Sequence, residues 1–436
     1  MAERNSDISI FSPDYQEASY WLENPNLKVH QEAQPPTKTD LLVIGSGYTG
    51  LNAAIQAARN GIETLVIDEG ELGSGCSTKN GGQISTSIKP SLSSLSKKYG
   101  FEKASAIRSE GLNALNWIDD FVQTENLDCD FDRCGRFHGA HTAKHFKQMR
   151  QSIGDLEQEN ISAYAISKEN VHSELGTDFY HGGLVYPDNA SLHPAKYHRE
   201  LIRLAIASGC TLVSHCRALK VNQSNQQFIV TTNKGKILAD KLAIATNGYT
   251  STLTPWLRRR IIPIGSYIIA TQTLDPDLMN ELFPTNRMIT DSRKVVYYYR
   301  PSPDRTRILF GGRVSAQETD PSISGPKLRD DLVRLFPRLS KTQISHSWTG
   351  TVAYSFDELA HTGKQDNMYY SMSYCGSGVS MASYLGMKMG RKISKTEDSD
   401  TAFDDLSYPS RFYYTGRPWF LPIAVKWYRF TDRLFY

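Results

Sequence analysis

Apolar runs and glycine turns alternate near the start of the chain in the order of a βαβ unit. Asp40 leads into Leu41-Leu42-Val43-Ile44, a buried-strand pattern. Gly45-Ser46-Gly47-Tyr48-Thr49-Gly50 turns the chain, and Leu51 to Arg59 has helical spacing. Asn60-Gly61 caps that helix, and a second strand, Thr64-Leu65-Val66-Ile67, ends at Asp68-Glu69. Residues 91 to 126 predict helix, with Ile107, Leu112, Leu115, Trp117, Ile118 and Phe121 at helical spacing. Residues 194 to 208 predict another, opened by His193-Pro194 and stopped by Gly209. Strand patterns follow at Thr211 to Val221, Phe228 to Thr232, Ile237 to Ala245, Ile261 to Thr273, Lys294 to Tyr299 and Ile308 to Gly311, and Val379 to Met389 predicts a late helix. The regular βαβ alternation stops after its first unit. The expected fold class is therefore α/β plus α+β, with an interrupted Rossmann-like domain and a strand-rich mixed second domain.

Composition adds mostly exclusions. With 436 residues, 39% hydrophobic and 22% charged, the chain is an ordinary globular one, long enough for two or three domains. Forty-nine Lys and Arg against 46 Asp and Glu leave a net charge of +3, so no global field argues for nucleic acid. Met1 to Gln16 is polar, and no apolar window suits a membrane span, which leads to the expectation of a cytoplasmic protein. Six cysteines are too sparse for a disulfide framework. Cys129 and Cys134 have a metal-pair spacing but no second pair, so the expectation is free thiols and no metal.

The glycine turn carries the clearest chemistry. In its strand and helix context, Gly45 permits the tight turn, Gly47 lets main-chain amides approach a pyrophosphate, and Gly50 lets helix and strand pack closely. Ser46, Tyr48 and Thr49 complete the cradle at the helix N-terminus, whose positive potential suits phosphate. Asp68, 23 positions after Gly45, is the expected ribose acceptor, with its neighbour Glu69 second. A second small-residue stretch, Gly73 to Gln83, suits a segment lying along an extended cofactor.

This second stretch, with Ser77, Thr78, Asn80, Gly81, Gly82 and Gln83, resembles the first flavin loop of the FAD-dependent amine and amino-acid oxidases of the D-amino-acid oxidase superfamily, in particular the gamma-glutamylputrescine oxidase-like branch. The resemblance runs in family order through Asn247-Gly248-Tyr249, Gly265 to Thr271, Tyr298-Tyr299-Arg300, Leu309 to Gly312, Trp348-Thr349-Gly350, Tyr374 to Val379 and a terminal segment with Tyr428, Asp432, Arg433 and Leu434. It implies a flavoprotein. Residues 77 to 83 would pass the ribityl chain and isoalloxazine, the backbone at Ala218 would meet the adenine, and Thr246, Asn247 and Gly248 would complete the cradle. Gly376, Ser377, Gly378, Val379 and Ser380 would open a helix toward the flavin pyrimidine edge, where charge accumulates on reduction. Two positions at which sarcosine oxidases carry a cationic carboxylate clamp are Gln83 and Ser380 here, so that clamp is absent. Gly350 stands where some of those enzymes tether the flavin through cysteine, which implies noncovalent FAD.

For the substrate, Arg300 is the expected carboxylate partner, with Tyr298, Tyr299 and His361 as further orienting residues. On a strand Tyr298 and Arg300 share one face, and Tyr297 and Tyr299 the other. The implied reaction is hydride transfer from an amine or amino acid to the flavin, with oxygen or a quinone-type acceptor as oxidant. A gamma-glutamylated diamine is the leading substrate, and a cyclic secondary amino acid of the pipecolate or proline type the alternative. A non-catalytic flavin-binding partner protein and an NAD-dependent dehydrogenase are the competing readings. The expected partition is an extension over 1–36, FAD-binding segments 37–90, 180–260 and 345–400, substrate segments 91–179 and 261–344, and a C-terminal segment 401–436. From Phe412 to Tyr436 ten of 25 residues are aromatic, interspersed with Arg417, Lys426, Arg429 and Arg433. That mixture suits intramolecular or oligomer packing, or peripheral contact with the inner face of a membrane.

Overall fold

In a computed structural model the chain is described over residues 9–24, 26, 33–224, 226–312, 320–423, 425 and 427. Two large sheets organise it. The first contains the predicted βαβ unit: strands Lys38–Ile44 and Thr64–Ile67 run parallel, and the helix Tyr48–Arg59 connects them. Gly235–Ile244 joins in parallel on one side and Thr211–Val213 on the other. Ala218–Ser224 and Gln227–Thr232 extend this sheet as an antiparallel hairpin, and His361–Gln365 with Met368–Met372 complete it. Parallel strands covered on both faces need nearly continuous apolar sequence, and Leu41 to Ile44 and Leu65 to Ile67 are all buried. The helix Gly378–Ser394 packs along Tyr48–Arg59.

The second sheet has nine strands among the described residues. In order they are Phe11–Gln16, Ile344–Tyr354, Ile262–Thr271, Ile308–Gly312, Tyr298–Pro301, Met288–Asp291, Arg136–Gly139, Gly183–Tyr186 and Tyr164–Ile166. Its core is aromatic, with Phe137, Tyr180, Tyr267, Phe283, Tyr299, Phe310 and Phe336 packed together.

The helix Pro194–Ala207 and the late helix stand where the pattern predicts them. Elsewhere local chemistry interrupts the predicted runs. Gly100, at φ +81°, splits the long helix into Leu92–Tyr99 and Phe101–Thr124. The run from Thr211 breaks between Val213 and Ala218, and the strand expected from Lys294 begins only at Tyr298.

Four segments depart from the expected partition. Residues 11–16, expected within an extension, and Gly183–Tyr186 and Ile344–Tyr354, expected with the FAD-binding segments, all hydrogen-bond into the nine-stranded sheet. Phe101–Thr124, expected with the substrate segments, buries Ile107, Leu115 and Ile118 in the aliphatic core of Leu51, Ile55, Leu385 and Ile393 instead. Its apolar face matches that layer, and the alternation within a strand carries no mark of which sheet it joins.

Candidate active site

A cavity of about 1060 Å³ lies between the two sheets. It brings together Asp68 and Ala218, the turn at Gly45, Gly47, Tyr48 and Thr49, the loop at Ser77, Asn80, Gly81 and Gln83, Thr246 and Asn247, and the stretch Gly376 to Val379. Ser46, Gly50, Thr78, Gly82, Gly248 and Ser380 stand behind these walls. Ser46, Gly50, Thr78, Gly82 and Gly248 make contacts that hold the walls in place, and Ser380 is buried in the first turn of Gly378–Ser394.

At Gly50 a Cβ would stand 1.9 Å from the Gly45 carbonyl oxygen, so only glycine lets the helix sit on the strand end. Gly45 itself has φ +107°, with the Ala245 oxygen 2.8 Å from where a Cβ would be. The helix Tyr48–Arg59 has no side-chain cap, and the Tyr48 amide donates to Ser77 Oγ at 3.1 Å. Asp68 Oδ2 accepts from the Ser46 amide at 2.8 Å and from Ser46 Oγ at 2.7 Å, while Oδ1 accepts from the Gly70 amide at 3.2 Å. The acid thus fixes the turn as well as facing the cavity. Glu69 is exposed and lies 3.5 Å from Arg217.

The second loop is held by its own residues and by two tryptophans. Asn80 Nδ2 donates to the carbonyls of Cys76 and Ser77, and its Oδ1 accepts from the Gly82 amide at 2.8 Å. Thr78 Oγ1 donates to Gly73 O at 2.7 Å. Trp21 Nε1 donates to Asn80 O at 2.7 Å, and Trp348 Nε1 to Lys79 O at 2.9 Å. Gln83 Nε2 reaches Tyr299 O at 3.2 Å, tying the loop to the nine-stranded sheet. Gly248 packs against Thr351, and Asn247 Oδ1 accepts from the Ser373 amide at 2.9 Å. Ser377 Oγ is turned to Ser87 O at 2.7 Å, leaving the N-terminus of Gly378–Ser394 without a side-chain cap at the cavity. Two helix N-termini that lack a side-chain cap from their own N-cap residue, and a glycine-lined wall between them, fit an extended dinucleotide carrying a flavin.

The opposite wall comes from the nine-stranded sheet. Arg136 and His138 alternate onto one face of Arg136–Gly139, beside Met288 and Thr290 on the parallel neighbour and Tyr186 on the antiparallel one. His138 Nδ1 bonds Thr290 Oγ1 at 2.9 Å. Burial, with the charges of Arg136 and Lys89 added, pushes the His138 pKa down to about 3, so the imidazole is neutral near pH 7. Tyr298 lines the cavity, its hydroxyl 2.6 Å from Ser266 Oγ, and burial raises the phenol's pKa.

The other substrate residues read from the sequence lie elsewhere. Arg300 is on the face of Tyr298 but behind the loop, where its guanidinium donates to Leu192 O at 3.1 Å, Gly82 O at 3.3 Å and Pro301 O at 3.1 Å. It braces the loop. Tyr299 is fully buried, with its hydroxyl 3.0 Å from that of Tyr180, because the strand alternation turns it into the aromatic core. His361 stacks on Tyr408 at 4.0 Å, bonds Asp357 at 3.0 Å and does not reach the cavity. Conversely, Arg136, His138 and Trp21 carry no motif. The one available signal for Arg136 and His138 is their alternation after Gly135.

All six cysteines are free, and among the described residues no group of side chains could hold a metal. No helix of the described residues is long and apolar enough to cross a membrane. Of the C-terminal segment, Tyr414 is anchored through its hydroxyl to Ile261 O at 2.7 Å, and Phe420, Leu421 and Val425 line the cavity. Phe412, Trp419 and Trp427 are exposed. Lys426, Tyr428, Arg429, Asp432, Arg433 and Leu434 lie outside the described residues.

Comparison with known proteins agrees with this geometry. The chain is 30% identical over 407 residues to the probable oxidoreductase OrdL of Rhizobium meliloti, covering 91% of this chain and 92% of that one. It is 28% identical to the gamma-glutamylputrescine oxidoreductase of Escherichia coli, covering 91% and 93%. Among solved structures, glycine oxidase from Geobacillus kaustophilus superposes with a TM-score of 0.72 at 15% identity, over 87% of this chain and 100% of that one. L-proline dehydrogenase from P. horikoshii superposes with a TM-score of 0.69 at 17% identity, over 83% and 94%. The DAO family, described as FAD dependent oxidoreductase, matches residues 40–391. With its two-sheet fold, its dinucleotide cradle and this match over most of its length, the chain belongs to the DAO family of FAD-dependent oxidoreductases.

Proposed function

We propose that this oxidoreductase acts on the CH–NH bond of a small amine or amino acid, first of all a gamma-glutamylated diamine, with FAD held noncovalently. The observation that carries the reading is that one cavity is shared by both walls. It joins the glycine cradle at Gly45 to Thr49 to a side-chain wall containing Arg136, His138 and Tyr298. The likeness to gamma-glutamylputrescine oxidoreductase over nearly the whole length of both chains supports the substrate class.

FAD, held by the turn at Gly45 to Thr49 and the loop at Ser77 to Gln83, would supply two-electron oxidation of the amine to an imine, which water would convert to an aldehyde or keto acid with release of ammonia or an amine, and oxygen, giving hydrogen peroxide, or a quinone-type acceptor would take the electrons. The chain's own residues set the conditions. Burial in the cavity disfavours an ammonium and so favours the neutral amine that can lose hydride. Tyr298 and Thr290 offer hydroxyl groups at the wall, and neutral His138 adds no charge there. Cys76 lies beside Gly350, but burial raises its thiol pKa to about 11; protonated, it is a poor nucleophile, consistent with a cofactor that is not tethered.

The test is anaerobic mixing of the yellow holoenzyme with gamma-glutamylputrescine, putrescine, pipecolate, proline and glycine. Bleaching of the visible flavin band by gamma-glutamylputrescine ahead of the others is the expected result. Faster bleaching by pipecolate or proline transfers the assignment to a cyclic amino acid, and bleaching by none overturns the amine reading.

A further inference from the structure

Arg136 is a buried cation whose surroundings do not complete it. It is 9% exposed, and its Nη1 donates to Ser87 Oγ at 3.3 Å. Its guanidinium carbon lies 4.7 Å from the ring centroid of Tyr186, its cross-strand partner. Nε has no hydrogen-bond partner, and among the described residues Arg136 forms no ion pair. Burying a guanidinium without a counter-charge is costly, and a donor left unpaired adds to the cost. The nearest contrast is Arg293, whose side chain is equally buried but pairs with Asp291. Asp291 also faces the cavity, yet its carboxylate is taken up by Arg293 and by the Tyr297 amide. Lys89 adds a second positive charge to the same cavity, with Glu358 as its acidic neighbour.

We infer that Arg136, on the wall facing the flavin cradle, receives the carboxylate of the substrate, with Ser87, Tyr186 and His138 shaping that end of the cavity. The inference rests on the amine reading above and deepens it. A guanidinium presents two parallel donors that match a carboxylate, and a low-dielectric wall strengthens the pair. The substrate's amine then has to lie one chain length away, toward Tyr298 and the Gly81–Gln83 loop. The same charge repels the second ammonium of an unmodified diamine. The enzyme therefore selects amines that carry a carboxylate at the far end over free polyamines. Arg300, held by three carbonyls, takes no part.

The experiment uses the purified holoenzyme and a probe that has a carboxylate but no amine, the mono-n-butylamide of glutaric acid. Its methyl ester is the neutral control. Binding is read as the perturbation of the flavin absorption spectrum. The wild type is expected to bind the acid on the order of 10- to 100-fold more tightly than the ester, as for a charge-assisted hydrogen-bond pair. Arg136→Met should erase that ratio, and Arg136→Lys should keep part of it. If Arg136→Met purifies without flavin, the ratio in Arg136→Lys carries the test. Equal binding of acid and ester by the wild type, or an unchanged ratio in the variants, overturns the inference. A ratio lost in Arg136→Met in an enzyme whose flavin no amine reduces keeps this subsite and removes the amine reading. Amine reduction with an unchanged ratio does the opposite.

Discussion

The two walls of the cavity present different surfaces. The wall built on the parallel sheet presents main chain: Gly45, Gly47, Gly81 and Gly376 to Gly378 open backbone to the cavity, and two helices turn their N-termini toward it. The wall built on the nine-stranded sheet presents side chains, with Arg136, His138, Tyr186, Thr290 and Tyr298 standing on strands packed behind by aromatics. A backbone site depends on close approach and fails when any Cβ intrudes. A side-chain site can be retuned residue by residue without disturbing the fold beneath it. One scaffold can thus keep one cofactor while changing its substrate.

The most damaging single change is expected on the main-chain wall. Gly50→Ala forces a methyl group against the Gly45 carbonyl, and the turn must open. The protein should purify colourless and lose about 3 kcal/mol or more of stability, checked by flavin-to-protein absorbance and denaturant unfolding. A yellow, stable Gly50→Ala protein would contradict the account of the cradle.

Arg300→Met tests the boundary between the walls. Three carbonyl oxygens lose a charged donor inside the protein, which costs about 2–3 kcal/mol and weakens FAD retention. The acid-to-ester preference measured with the glutaric probes should not change. Arg136→Met should do the reverse, and finding the two arginines interchanged would break the comparison.

This pair also shows what was legible in the sequence. The Gly45 to Asp68 unit was readable because a pyrophosphate meeting backbone demands glycines, strand and helix at fixed spacing. The later glycine stretches pointed to a flavin only through their resemblance, in order, to those of the amine and amino-acid oxidases, since no spacing rule of that kind covers them. Arg300 was misread because alternation assigns it to the face of Tyr298 but is silent on where the loop carrying Gly82 ends the cavity along that face. Arg136 and His138 were missed because a four-residue strand carries no spacing rule, and a lone arginine in sequence has no measure of burial or of missing counter-charge. Trp21 braces the flavin loop from a segment expected to be an extension, a contact between residues 59 positions apart that no local pattern encodes.

Acid should separate the walls less sharply. Burial holds the folded-state pKa of His138 at about 3 and of His193 at about 4, both below the usual 6.5. The unfolded chain binds the extra protons between those values and 6.5. Stability is therefore complete above pH 6.5 and falls as pH is lowered toward 4 and then 3. Denaturant midpoints measured across this range should show the decline, and His138→Gln should make it shallower. The smallest effect is expected at Tyr299→Phe, which removes one hydrogen bond to Tyr180 far from the cavity. About 1 kcal/mol of stability should be lost, with kcat unchanged within about twofold. A large fall in kcat would return Tyr299 to the reacting centre.

The most direct test of the whole account is the colour of the holoenzyme without oxygen. Stoichiometric bleaching by gamma-glutamylputrescine, faster than by putrescine of the same amine chain, is the predicted result. A flavin band unmoved by any amine would contradict it.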